Sequence, residues 1–281
     1  MSTALHDLRR ASEEKLRALK AALGELDGAL VAFSGGVDST FVLAVAHEVL
    51  GERALALTAH SPSVPQAERS EARDLARRLG VRHVEVESRE MDDPRYTANP
   101  TDRCYYCKSE LYRLCGEVAG QEGVAAILDG FNADDRRDHR PGHRAAAERA
   151  VKSPLAEAGF TKAEVRAWSA AYALPTWDKP QMACLASRLP YGTAVTVERL
   201  GQVERAEAAL RALGLRTFRV RYHGDIGRIE VAADEMEHAF AHRADLSRAV
   251  CGAGFKVAVL DLEPFRSGRM NELAGLSLPV I

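Results

Sequence analysis

The sequence predicts an α/β protein: a doubly wound parallel sheet joined to a second, smaller α+β domain. Three observations predict it. An apolar run, Ala29-Leu30-Val31-Ala32-Phe33, passes through the turn Ser34-Gly35-Gly36 into a second apolar stretch from Phe41 to Ala46, the order strand, glycine turn, helix. Strand-like and helix-like runs then alternate as far as Asp129, which implies parallel pairing by right-handed crossovers, with ligands at the carboxyl ends of the strands. Past Pro190 and Gly192 the order becomes helix, strand, strand, helix, strand, so the domains are expected at 1–192 and 193–281.

Each element has its own reason. Leu5, Leu8, Leu16, Leu19, Leu23 and Leu26 recur at helical spacing, predicting one amphipathic helix over 5–26. The run 29–33 is too short for a helix and reads as a strand buried on both faces, followed by a mostly buried helix to Leu50. Strands are expected at 53–59, 81–86 and 125–129, with a crossover helix over 65–79 that has Pro65 at its start. Thr101 or Asp102 can cap a helix running to about Val118, and Thr161 one running to Ala173. The smaller domain reads as helix 197–213, strands 217–222 and 228–231, helix 233–250 and strand 255–260, with helices on one face of its sheet.

The 281 residues can bury a sizeable core, and 46% hydrophobic, 28% charged and a formal net charge of −2 are ordinary for a soluble protein. Near-neutrality argues against nucleic acid as the main partner. Residues 1–10 have no apolar core of signal-peptide length and no run approaches a membrane span, so no membrane association and a cytoplasmic location are expected. Five cysteines in a reducing compartment read as free thiols, metal ligands or catalytic groups and not as a disulfide framework.

The turn at 34–40 carries the chemistry. Gly35 and Gly36 let the backbone approach an anion, the first-turn N–H groups of the following helix point at it, and Ser34 and Ser39 add hydroxyl donors. The spacing is neither G-x-x-x-x-G-K-[ST] nor G-x-G-x-x-G. No Lys or Arg lies in the loop, so a polyphosphate needs Mg²⁺ and cations from elsewhere; Lys179 and Arg188 are the candidates. Cys104 and Cys107 sit in the first turn of a helix, where the dipole favours thiolates, which is reactive chemistry or metal ligation. Arg219 and Arg221, two apart, share one face of a strand; an exposed face paired with Glu207 and Glu230 accounts for them equally well.

Ser34-Gly35-Gly36-Val37-Asp38-Ser39 resembles the S-G-G-x-D-S loop of the PP-loop ATP pyrophosphatases, which cleave ATP between its α- and β-phosphates and adenylate a substrate. Those six residues are then the nucleotide loop. The resemblance makes 60–65 the adenine stretch, where a plain loop fits as well. It likens Gly130 to Asp135, with Asp138, Arg140, Pro141 and Gly142, to the family's G-x-N-A-D-D…R-P-G segment, so that Asn132 and Asp134 become nucleotide and Mg²⁺ contacts; on residue types alone this is a solvated turn.

Cys-Tyr-Tyr-Cys-Lys at 104–108, the stretch Ala183 to Gly192, Arg219 to Gly224 and Leu262 to Gly268 further resemble the LarE family, sulfur transferases of nickel-pincer nucleotide biosynthesis that mature lactate racemase. This implies ATP-dependent adenylation of a pyridinium biscarboxylic acid mononucleotide and its conversion to a thiocarboxylate. It makes Cys184 the sulfur-bearing cysteine and Arg219 and Arg221, beside Glu207 and Glu230, the holders of the substrate's phosphate or carboxylates. It also implies a homo-oligomer with cofactor-maturation partners. Cys104 and Cys107 depart from the single-cysteine pattern. With Cys184 they make the set expected for a [4Fe–4S] cluster with one open iron. Zinc with His60 or His143 as a further ligand, a dithiol pair, and incidental cysteines stay open. Cys115 and Cys251 read as buried apolar residues. Other functions compatible with the loop are an amide-forming or tRNA-thiolating PP-loop enzyme and a non-catalytic nucleotide-binding module.

Overall fold

The computed structural model describes residues 3–137, 141–180 and 183–266, together with 268, 269, 272 and 275. The chain forms two compact units, one of Met1–Ser61, Gln66–Glu90 and Cys104–Met182, the other of Pro62–Pro65, Met91–Arg103 and Ala183–Ile281. Asp138, Arg140 and Met182 lie outside the described residues.

The first unit is built on strands β1 (Ala29–Ala32), β2 (Ala54–His60), β3 (Arg82–Glu87) and β4 (Ala126–Leu128), ordered β3-β2-β1-β4 and parallel throughout. The expected fold class is the observed one. Helices in chain order are α1 (Thr3–Ala11), α2 (Glu13–Gly24), α3 (Val37–Leu50), α4 (Gln66–Arg78), α5 (Pro94–Thr97, in the second unit), α6 (Arg103–Glu122), α7 (Pro141–Glu148), α8 (Pro154–Glu157) and α9 (Lys162–Ala171). Every β1 residue is buried, and its period of two divides the side chains between two layers. Ala29 and Val31 join the core formed with α2, α3, α4 and α9, whereas Leu30 and Ala32 join the one formed with α6 and α7. Lys152 adds a rung beyond β4, its N–H donating to Ile127 O at 2.9 Å.

The helix expected over 5–26 is two helices. Ser12 breaks it, because its buried hydroxyl bonds the Leu8 carbonyl at 2.6 Å and accepts the Trp168 indole N–H at 2.8 Å. α6 runs four residues beyond its expected end.

In the second unit β5 (Phe218–His223), β6 (Ile226–Val231) and β7 (Val257–Leu260) form a mixed sheet, with β5 antiparallel and β7 parallel to β6. α10 (Val197–Ala212) packs on β5, and α12 (Arg243–Gly252) packs on β7. The single helix expected over 233–250 is a 3₁₀ turn at Ala233–Glu235, then α11 (Met236–Ala241), then α12. At the first break Glu235 turns its carboxylate to the N–H groups of Arg216 and Thr217, both at 2.7 Å; at the second the His242 ring bonds the His238 carbonyl. Among the described residues no helix is long and apolar enough to cross a membrane.

Strand order positions the site. The chain steps from β1 outward through β2 to β3, then returns to the other side of β1 as β4, so the switch point lies between β1 and β4. The loops leaving these strands touch: a Cβ on Gly130 would stand 2.8 Å from the Ser39 nitrogen and 3.2 Å from Asp38. Gly130→Ala should therefore destabilise the chain by about 1–3 kcal/mol. Gly120→Ala, with open space at its Cβ inside α6, should be neutral or stabilising by up to about 1 kcal/mol. Urea denaturation of the two variants checks the contrast.

Candidate active site

Gly35 turns with φ +69° beneath α4, where a Cβ would press on Ala72 at 3.1 Å, and Gly36 caps α3. The first-turn amides of α3 lack intrahelical acceptors by geometry. The loop is held in shape by its own hydroxyls: Ser39 Oγ accepts from the Ser34 N–H at 3.3 Å and lies 3.1 Å from Ser34 Oγ and 3.3 Å from the Gly36 carbonyl.

Asp38 joins this loop to the loop after β4. Asn132 Nδ2 donates to its Oδ1 at 3.2 Å, and Lys162 Nζ forms an ion pair with its Oδ2. Asn132 Oδ1 accepts the Asp134 N–H at 3.0 Å, and Asp134 Oδ2 accepts the Lys162 N–H at 2.8 Å. Behind them Asp129 accepts from Phe131 N–H at 3.1 Å and Tyr112 hydroxyl at 3.0 Å. Burial raises the Asp129 pKa above the usual carboxylate value and raises that of Tyr112 as well. The structure thus brings Ser34, Gly35, Gly36, Val37, Asp38, Ser39, Asn132 and Asp134 to one place. Lys179 reaches it too, donating to the Gly35 carbonyl at 3.3 Å and to Glu71 at 2.8 Å.

Lys162 is the residue that sequence reasoning missed. A signal existed: it stands at the first position of α9, just after the Thr161 cap, where the helix dipole disfavours a cation. Arg188, expected as a phosphate cation, is instead fully buried in the second unit. Its Nε and Nη2 pair with Glu207 at 2.9 and 3.0 Å, and its Nη1 donates to the carbonyls of Ala183 and Cys184.

That arrangement shapes the turn at Cys184. Cys184 is half-buried at the head of a 3₁₀ turn, Leu185–Arg188, and its carbonyl accepts from Ser187 Oγ at 2.7 Å and from Arg188 at 2.9 Å. Glu207 also accepts the Val220 N–H at 3.0 Å, and Arg221 reaches the Ser187 carbonyl at 3.1 Å, so β5 and α10 both hold the turn. Arg221 and Arg228 share Glu230, each at 2.8 Å. Arg219 lies over the Phe265 ring at 4.9 Å, and burial with Arg188 nearby lowers its pKa to about 10. Arg219 and Arg221 are buried, not on an exposed face.

Cys104 is exposed and Cys107 half-buried at the start of α6, in the first unit. Cys115 is fully buried, its thiol pushed up to about 12 by desolvation, as an apolar core residue should be. Cys251 differs from expectation, being only half-buried, with its thiol 3.7 Å from the Lys256 carbonyl. His60 is taken by Glu85 at 2.5 Å, and His143 stacks on Phe131 at 3.9 Å. The stretch likened to the adenine segment divides between the units after Ser61. Among the described residues no three His, Cys, Asp or Glu side chains gather to hold a metal.

The asparagine synthase family model matches residues 18–239. The pyridinium-3,5-bisthiocarboxylic acid mononucleotide synthase of Lactiplantibacillus plantarum is 39% identical over 259 residues, covering 92% of this chain and 94% of its own. The chain belongs to the LarE family of PP-loop proteins. It is an ATP-dependent sulfurtransferase of the ATP-pyrophosphatase type. An uncharacterised Synechocystis protein, 46% identical over 93% of this chain and 98% of its own, and a Methanocaldococcus jannaschii one, 24% identical over 85% and 90%, are similar along the same length.

In this LarE-family chain Glu207→Gln removes the charge partner of a guanidinium with no exposure, and should cost roughly 3–5 kcal/mol in chemical denaturation. Asp74→Asn, at the exposed pair with Arg77, should leave the midpoint unchanged within error.

Proposed function

We propose that the chain adenylates a carboxylate of pyridinium-3,5-biscarboxylic acid mononucleotide and converts it to a thiocarboxylate, with Cys184 as the sulfur donor. The observation that carries the ATP half is the meeting of the glycine loop, Asp38, Asn132 and Lys162 at the switch point. The division of labour follows the expected domains, with adenylation in 1–192 and substrate binding in 193–281.

A carboxylate is a poor electrophile. Its oxygen attacks the α-phosphorus of ATP, the bond to the bridging oxygen breaks, and pyrophosphate leaves with its charge met by Lys162, Lys179 and the α3 amides. Mg²⁺ is expected to travel with ATP. It favours one or two carboxylates with phosphate oxygens, and Asp38, 21% exposed beside the loop, fits one such ligand, with Asp134 adjacent. The Cys184 thiolate then attacks the acyl carbon and AMP departs, leaving a thioester. Loss of the Cys184 Cα proton and cleavage of its Cβ–S bond release the thiocarboxylate and leave dehydroalanine. Arg219, desolvated with Arg188, Arg221 and Arg211 nearby and Glu207 offsetting them in part, is favoured by an anion, which supports it as a holder of the substrate phosphate, with Arg221, Glu207 and Glu230 shaping the site.

Cys104 and Cys107, one turn apart on α6 and not buried as Cys115 is, favour a second reading of the sulfur source. They fit two ligands of a [4Fe–4S] cluster whose third is Cys184 by resemblance, and such a group would supply sulfide in place of the cysteine sulfur. The mass of the polypeptide after turnover separates the two. A sacrificial chain stops after one product and loses the mass of H₂S at Cys184. A cluster-dependent chain, reconstituted anaerobically and given sulfide, makes several products and keeps Cys184 intact, and each of Cys104→Ala, Cys107→Ala and Cys184→Ala lowers its iron content.

Incubation with ATP and substrate should yield AMP and pyrophosphate, and Asp38→Ala or Ser39→Ala should abolish both in folded protein; ADP and phosphate as main products would contradict the proposal. Arg219→Ala should weaken substrate binding ten- to hundredfold, about 1.5–3 kcal/mol, and leave ATP affinity near wild type. Equal loss of ATP affinity would refute the proposed division of labour.

A further inference from the structure

β1 releases the chain into the phosphate loop at Phe33, and the handling of that residue is unusual. Phe33 donates its N–H to the Leu57 carbonyl at 2.8 Å, as a strand residue does. Its carbonyl accepts the hydroxyl of Thr58 at 2.8 Å, a side-chain bond from the buried face of β2. His83 Nε2, on β3, lies 2.8 Å from the same hydroxyl oxygen. A hydroxyl has one proton, and Thr58 spends it on Phe33, so His83 must carry hydrogen on Nε2 and donate. The His83 ring stands edge-on to Phe33 at 5.8 Å, and burial lowers its pKa, which favours the neutral imidazole.

The Phe33 carbonyl and the Ser34 N–H belong to one planar peptide group. Fixing the carbonyl therefore fixes the direction of the first N–H of the phosphate loop, the one that meets Ser39 Oγ at 3.3 Å. We propose that Thr58, oriented by His83, is a positioning residue for ATP: the relay His83, Thr58, Phe33 carbonyl sets the peptide plane on which the phosphate loop is hung. Glu85 and Arg73 brace its surroundings from β3 and α4, bonded twice at 2.7 and 2.8 Å, with the Glu85 pKa held down at about 2 chiefly by Arg73. The inference rests on the loop being the site of ATP's phosphates.

Thr58→Val keeps the shape and removes the hydroxyl, Thr58→Ser keeps the hydroxyl, and His83→Phe keeps an aromatic ring against Phe33 without the donor. Calorimetric titration with Mg·ATP reads the loop directly, so the comparison stands whichever phosphate bond is cleaved. Below the melting temperature of each variant, Thr58→Val should bind ATP about tenfold or more weakly, since a buried carbonyl has lost its donor. Thr58→Ser should stay within about threefold of wild type, and His83→Phe should fall between them. In turnover the loss should appear in kcat/KM for ATP and leave KM for the carboxylate substrate unchanged. Wild-type ATP affinity in Thr58→Val, or equal damage in Thr58→Ser, would overturn the proposal, because packing and not the hydroxyl would then be what matters.

Discussion

The carboxylate of Asp38 is the interaction on which the meeting of the loops after β1 and β4 depends. It lies in the first turn of α3, accepts from Asn132 and Lys162, and so joins the loop after β1 to the loop after β4 and the start of α9. Sheet order makes this possible, because only a switch point puts β1 and β4 side by side. Gly130 makes it close, since no side chain fits against the Ser39 nitrogen. Lys162 is placed by its helix: Thr161 and Glu164 form a capping box, and Lys15 from α2 bonds Glu164 at 2.8 Å and the Gly159 carbonyl at 2.7 Å. A helix ahead of the sheet thus bears on where Lys162 stands.

The second unit has a comparable centre in Glu207. Burying a carboxylate and a guanidinium is costly, and an apolar pair of equal volume is often as stable. Here the pair yields definition: one guanidinium gathers two carbonyls around Cys184, and one carboxylate ties it to α10 and the backbone of β5. The Cys184 turn is short and irregular, and the clamp adds to the other bonds that hold its backbone, among them the Leu185 N–H on the Ser63 carbonyl at 2.8 Å and Arg103 on the Ala186 carbonyl at 3.0 Å. Glu230 does similar work on the neighbouring strand, dividing its two oxygens between Arg221 and Arg228.

Local pattern made the architecture legible. β1 and the glycine turn stand out because a wholly buried strand must be apolar and a close approach must be glycine, constraints that act within a few residues. The helix breaks at Ser12 and His242 were not legible, since each depends on a side-chain bond competing with the backbone. Charge was harder still. Arg188 ends a 3₁₀ turn and Lys162 begins a helix; that helix start marks Lys162 as unusual, but nothing local names its partner Asp38, 124 positions away, or says that Arg188 is sealed against Glu207. Arg219 and Arg221 were found as a same-face pair, but their burial follows from partners and packing that spacing does not encode.

The central claim is that Asp38 and Lys162 act as one unit in holding Mg·ATP. A double-mutant cycle with Asp38→Asn and Lys162→Met, read as Mg·ATP affinity by calorimetry, tests it most directly. Residues in one ion-pair network couple, typically by about 0.5–3 kcal/mol, whereas independent ones add to within about 0.5 kcal/mol. The account predicts strong coupling, with the double variant binding scarcely more weakly than the worse single one. Additive losses would contradict it, by showing that the pair at the switch point is an incidental contact of two separately acting side chains.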